Sequence, residues 1–240
     1  MDARRTVRWV AIPLCCLSLL ALALPGHAAE SKYWNVATGN WDIGSNWSPN
    51  GAPGSDDTVY VRNGGTATIR TSHPAVWSTL YVGHSGGDSG GVTQTGSDSS
   101  GGNLYVGYGA QGTYTLSGGT LDVSSGVHLG YGASGEGKLT QSGGTLEATD
   151  LWIGKLSGAA GTYSLSGGTC DLAGLLYVAG AGTTGYMGIS GSATCAVGSD
   201  LLVAPSGGTG ELELKSSTCT LEVAGGARLL RGEKHTHGLG

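Results

Sequence analysis

Residues 104–126 read LYVGYGAQGTYTLSGGTLDVSSG, and this wording returns with small edits as far as Gly226. Later copies are VHLGYGASGEGKLTQSGGTLEATD from Val127, LWIGKLSGAAGTYSLSGGTCDLAGL from Leu151, LYVAGAGTTGYMGISGSATCAVGSD from Leu176 and LLVAPSGGTGELELKSSTCTLEVAGG from Leu201. A more degenerate copy, LYVGHSGGDSGGVTQTGSDSSGGN, precedes them from Leu80. The starts at 80, 104, 127, 151, 176 and 201 lie 24, 23, 24, 25 and 25 residues apart. A period in this range is the mark of a stacked repeat architecture.

Each copy holds three short alternating runs, in the first full copy Leu104-Tyr105-Val106, Thr113 to Leu116 and Thr120 to Val123. Runs this short, rich in Val, Thr, Tyr and Leu and punctuated by Gly and Ser, predict strands. Gly118-Gly119, Gly143-Gly144 and Gly167-Gly168 occupy one position of three copies and predict a turn with positive φ. A unit of this size buries no face by itself, so successive coils must share an interior, with like strands in register about 4.8 Å apart. The columns agree. Leu80, Leu104, Val127, Leu151, Leu176 and Leu201 form one apolar file, and Val82, Val106, Leu129, Ile153, Val178 and Val203 a second. A third is Leu116, Gln141, Leu165, Ile189 and Leu214, in which the Gln is anomalous; a fourth is Leu121, Leu146, Cys170, Cys195 and Cys219. The expected fold is all-β: a right-handed parallel β-helix, or β-solenoid, of about six coils over 80–226.

The ends differ from the repeats. Residues 1–28 combine Arg4, Arg5 and Arg8, an apolar run from Trp9 to Leu24 and small residues before Ala29, the pattern of a cleaved secretory signal. That apolar run is shorter than the roughly 20 residues of a membrane span and contains Pro13. An exported protein with no span after cleavage is expected. Without Arg4, Arg5, Arg8 and Asp2, 9 basic residues face 16 acidic ones, a net charge of −7 that disfavours nucleic acid and anionic membrane as partners. Residues 29–79 carry Trp34, Trp41 and Trp47 and read as an N-terminal cap over the open solenoid end, or else as a Trp-lined carbohydrate site. Residues 227–240 read as an irregular tail, in which His235-x-His237 is a weak metal motif.

The LYVG opening, the Gly-Thr step and LSGGTLxV resemble the autotransporter- and PEP-CTERM-associated repeats, β-solenoid units of secreted and surface proteins of bacteria. The segment YWNVATGNWDIGSNWSPNGAPGSDDTVYV is similar to the one that often leads such repeats, and the likeness covers roughly residues 33–223. The resemblance implies a passenger-like surface module and no catalytic motif. The translocator barrel and the Pro-Glu-Pro sorting signal of such relatives find no counterpart in this sequence.

Alternation sends Tyr81, Tyr105, His128, Trp152, Tyr177 and Leu202 outward between the two inward files of the first run. Such a stripe stabilises neighbouring strands in pairs, or contacts an extracellular glycan or another surface protein. Asp122, Glu147 and Asp171 form an outward acidic column, continued by Ala196 and Thr220. Carboxylates one coil apart accept Ca²⁺, as in β-helix pectate lyases, or stay solvated. A polysaccharide lyase would need in addition an acid or base within reach, and no Ser-His-Asp set, Cys-x-x-Cys pair or phosphate loop occurs. A Thr file at 120, 145, 169, 194 and 218 is explained by β-propensity. Cys170, Cys195 and Cys219 are expected as buried thiols, because in-register strands hold Cβ atoms farther apart than a disulfide wants. The sequence therefore predicts a non-enzymatic secreted or cell-surface solenoid, with a polysaccharide-binding or polysaccharide-degrading β-helix as the alternative.

Overall fold

The computed structural model describes residues 28–229 as a stack of parallel coils with two walls, one sheet of thirteen strands and one of eight. All but the last residue of the expected signal, and His235 and His237, lie outside the described residues. Among the described residues no helix is long and apolar enough to cross a membrane. The three runs of each repeat become two walls, because the third run of one copy continues into the first run of the next. Thr120–Tyr131 is one strand, with a register irregularity between Val123 and Val127. The other wall is built from segments such as Gln111–Gly118, Glu136–Gln141 and Ala160–Leu165.

The first two interior files hold, and the third holds as far as Ile189, after which Leu214 is 50 % exposed. Leu80, Leu104, Val127 and Leu151 are neighbours in register and 0 % exposed, as are Val82, Val106, Leu129 and Ile153. Each such side chain contributes about 1.5–3 kcal/mol by leaving water. The Gly turn is also as expected: Gly119, Gly144 and Gly168 have φ of 75°, 70° and 81°. A second glycine requirement is steric. A Cβ on Gly112 would lie 2.0 Å from the Val82 carbonyl oxygen of the coil before it. The chain turns there against Gly107, whose φ is 77°. In the last two copies the Gly107 position is held by Ala179 and Ala204, still left-handed at φ 66° and 49°.

Gln141 is not a defect in its file. It is 0 % exposed; its Nε2 donates to the Gly144 and Thr169 carbonyls at 3.1 and 2.9 Å, and its Oε1 accepts the Tyr163 hydroxyl at 2.5 Å. Two coils earlier Gln94 repeats the arrangement, donating to Ser97 and Thr120 carbonyls and accepting Tyr114 and Ser99 hydroxyls at 2.6 and 2.8 Å. Every polar atom of each buried amide is used, which removes the cost of burying it. In both networks Tyr reaches from the next coil to Gln, so the pair ties adjacent turns.

Three expectations are corrected. First, residues 29–79 do not simply precede the coils but are wound as coils themselves. Ser31–Trp34 pairs in parallel with Thr58–Val61, which pairs with Ala75–Val82, and Thr38–Asn40 starts the second wall. The eight-stranded wall therefore counts more turns than the six expected. Their irregular spacing hid them; the shared pattern Lys32-Tyr33-Trp34, Val59-Tyr60-Val61 and Leu80-Tyr81-Val82 was the available signal. The cap function nevertheless belongs to this segment. Trp47–Ser48 adds an antiparallel strand that closes the sheet edge, and Trp34, Trp41 and Trp47 meet edge to face with centroids 4.8 Å apart. They are 1 %, 2 % and 2 % exposed, so no sugar can stack on them.

Second, the final copy is in a different register. Thr194 and Cys195 face Thr220 and Leu221, not Thr218 and Cys219. Cys219 instead fills the turn, its thiol donating to the Ser216 carbonyl at 3.0 Å. The motif Thr220-Leu221-Glu222-Val223 matches Thr120-Leu121-Asp122-Val123 and carries the register. Third, the pattern persists past Gly226: Ala227–Leu229 pairs with Leu201–Val203. At the end of the described stack outward positions become charged, with Glu211, Glu213 and Arg228 facing Tyr186, Gly188 and Leu202 of the coil before, and with Glu222 facing Ala196. Charges on an edge strand oppose the addition of further strands. Cys170, Cys195 and Cys219 are buried free thiols. The adjacent Cys195 thiol and burial both push the Cys170 thiol well above its ordinary pKa.

Candidate functional site

The outward stripe forms as predicted and is longer than expected. Tyr33, Tyr60, Tyr81, Tyr105, His128, Trp152 and Tyr177 follow one another in register along the thirteen-stranded wall. Successive centroids from Tyr33 to Tyr105 are 5.0–5.1 Å apart with interplanar angles of 9–17°. Tyr105 stacks on His128 at 4.7 Å and Trp152 meets Tyr177 at 4.5 Å. The cause is elementary: strand spacing sets the interval, and rings on one column have only each other to pack against.

A second row escaped the sequence reading. His84, Tyr108 and Tyr131 stand just past the tight glycine turn, stacked at 5.1 Å and 9–12°. They cross the first row nearly at right angles: Tyr81–Tyr108 at 5.3 Å and 81°, Tyr105–Tyr108 at 5.5 Å and 87°, Tyr105–Tyr131 at 5.2 Å and 79°. The result is a herringbone of offset and edge-to-face pairs, the arrangement that ring quadrupoles favour. Cations flank it: the Arg62 guanidinium is 4.5 Å from the Tyr33 ring centre, and the Lys155 ammonium 4.1 Å from that of Trp152 and 5.7 Å from that of Tyr131. The signal in the sequence was Gly-Tyr-Gly at 107–109 and again at 130–132.

Packing has electrostatic consequences. Burial raises the pKa of Tyr60 and Tyr105, and pushes that of Tyr81 up to about 12. His128 is 5 % exposed, and its Nδ1 has no hydrogen-bond partner among the described residues. Burial first, and the Lys155 charge second, lower its pKa to about 3, so it stands in the stack as a neutral ring. The stripe therefore departs from the expectation in one respect, since His128 is enclosed. It also cannot bind sugars flat on its ring faces. Faces only about 5 Å from the next ring centre leave no room for an inserted sugar ring, and solvent meets edges and hydroxyls.

The acidic column is real and has a fourth member. Asp122, Glu147 and Asp171 are neighbours in register, and Ala196 is followed by Glu222, not by Thr220. The first three, with Ser124 and Thr149, line an open groove of about 270 Å³ completed by Val123, Ala148 and Ala173. Asp122, Glu147 and Asp171 are exposed, and the groove lining contains no Lys, Arg or His. Among the described residues no three His, Cys, Asp or Glu side chains come together as a metal-holding group. A cation at this column would meet carboxylates spaced by the strand interval and otherwise open to water.

Fold and surface together define a parallel β-solenoid faced by an aromatic herringbone. Comparison with protein-family models, curated proteins and solved structures finds no match to this chain.

Proposed function

We propose that this chain is a non-enzymatic structural or adhesive module, exported to the cell surface or beyond it, of the repeat family its copies resemble. The observation that carries this reading is the stacking of like outward residues in register from coil to coil. The outer residues of successive coils form ladders, not a converging cluster, and the longest ladder puts its chemistry into ring-to-ring packing. A surface of this kind suits a stiff spacer that presents long faces to a neighbouring protein or to an extracellular glycan held by edge hydroxyls. The reading predicts that the purified full chain binds isolated cell envelopes or immobilised surface polymers saturably and leaves them chemically unchanged.

The second reading, a polysaccharide-binding or lyase-like β-helix protein, draws on the acidic groove. Incubation with acidic polysaccharides, with and without Ca²⁺, separates the two. Release of unsaturated sugar ends that disappears in the triple variant Asp122→Asn, Glu147→Gln, Asp171→Asn would establish the lyase and end the structural reading.

A further inference from the structure

Ten tyrosines are present, and their environments divide sharply. Tyr114 and Tyr163 are buried singly, each hydroxyl committed to a buried Gln. Tyr186 lies on the other wall, its hydroxyl donating to Glu213 at 2.8 Å. Tyr177 meets only Trp152, and its hydroxyl lies 3.2 Å from that of Ser206. The remaining six, Tyr33, Tyr60, Tyr81, Tyr105, Tyr108 and Tyr131, are half-buried and joined ring to ring by contacts of 5.0–5.5 Å.

We propose that this double row is an oxidative cross-linking site, at which a one-electron oxidant of the peroxidase class joins Tyr108 to Tyr81 or Tyr105 through a carbon–carbon bond. Each phenol gives one electron to the oxidant and its hydroxyl proton to water. The two tyrosyl radicals couple between ring carbons ortho to oxygen, and the two ring protons at the new bond migrate to the oxygens, restoring both phenols. The net change is the loss of two hydrogen atoms and the reduction of the oxidant by two electrons. Ring edges, which carry the ortho carbons, are what the herringbone shows to solvent. The crossing pairs bring the edge of one ring against its neighbour.

The flanking cations select the position. A positive charge over a ring makes removal of an electron harder, so Tyr33 beneath Arg62 and Tyr131 beside Lys155 are the less favourable places for a radical. Tyr60, Tyr81, Tyr105 and Tyr108 lie between them, and of these only Tyr81, Tyr105 and Tyr108 cross one another edge to face, Tyr60 crossing His84 instead. Ring contacts throughout the row let a radical formed at any exposed member reach these three by successive transfers. A Tyr81–Tyr108 link would tie two successive coils covalently and leave the interior unchanged. It would thus hold the stack where hydrogen bonds alone pair the strands.

The test is photo-oxidation of the dilute full-length protein with ruthenium(II) tris-bipyridyl and persulfate, where persulfate takes up the electrons. The monomer fraction is then read by dityrosine fluorescence and peptide mass mapping. The expected result is an intramolecular link between the Tyr108 peptide and that of Tyr81 or Tyr105. Dityrosine yield should fall at least threefold in Tyr108→Phe, which keeps the ring and the stack, and stay at the wild-type level in Tyr186→Phe. Circular dichroism identical to wild type shows that each variant is folded. Absence of dityrosine from the monomer, an unchanged yield in Tyr108→Phe, or links distributed equally to Tyr186 would each overturn the proposal.

Discussion

His128 sits as a neutral imidazole in a column of phenols, and acid should expose the cost of that placement. Its pKa is lowered from 6.5 to about 3, principally by burial between Tyr105 and Tyr131, with Lys155 adding repulsion to the protonated form. The unfolded chain therefore takes up a proton at this residue near pH 6.5, while the folded chain takes it up only near pH 3. Stability attached to His128 is complete above 6.5 and lost as pH falls toward 3. Between those values the loss is about 1.4 kcal/mol per pH unit, or roughly 2.5 kcal/mol from pH 7 to 4.5. Carboxylates titrate over the same range, so the informative quantity is a difference. In His128→Tyr, which places in the column the residue already found at Tyr60, Tyr81, Tyr105 and Tyr177, that component vanishes. Urea unfolding at pH 7.0 and 4.5, followed by Trp fluorescence, should show wild type losing about 2.5 kcal/mol more than the variant. Equal losses in the two proteins would show that His128 is solvated or partnered, and would refute the enclosed-ring reasoning.

The remaining predictions concern packing and edges. Gln141→Leu strands the Tyr163 hydroxyl inside the coil and removes one bond each from the Gly144 and Thr169 carbonyls, so it should cost about 1–3 kcal/mol in urea unfolding, part of which returns when Tyr163→Phe is added. Gly101→Ala would place a methyl group 2.0 Å from the Trp77 indole nitrogen, so thermal unfolding should show a loss of about 1–3 kcal/mol or more, centred on the first coils. Replacement of Glu211 and Glu213 by Thr removes two outward carboxylates from the last described strand of the eight-stranded wall. Light scattering should then detect end-to-end association absent from wild type, and its absence would mean the edge is guarded by something other than charge.

Much of this molecule is written in its periodicity. Leu104, Val127 and Leu151 recur one coil apart because stacked strands must offer the same face at the same height, so their spacing alone specifies parallel stacking and a shared interior. The outward position of Tyr81, Tyr105 and Trp152 follows from the same alternation. Identity along a column does not specify what happens between columns. The crossing of Tyr108 with Tyr81 and Tyr105 depends on the angle at which the chain leaves the Gly107 turn, a three-dimensional quantity with no local code. Gln141 looked anomalous because its partners, Gly144, Thr169 and Tyr163, come from its own turn and from the coil above. The last register was decided by where Cys219 and Leu221 could be buried, not by counting 25 residues onward. Sequence set the repeat and its faces, because those depend on backbone geometry common to every strand. Only the tertiary structure decided the herringbone, the amide networks and the guarded end, since each depends on side chains from different coils meeting in space.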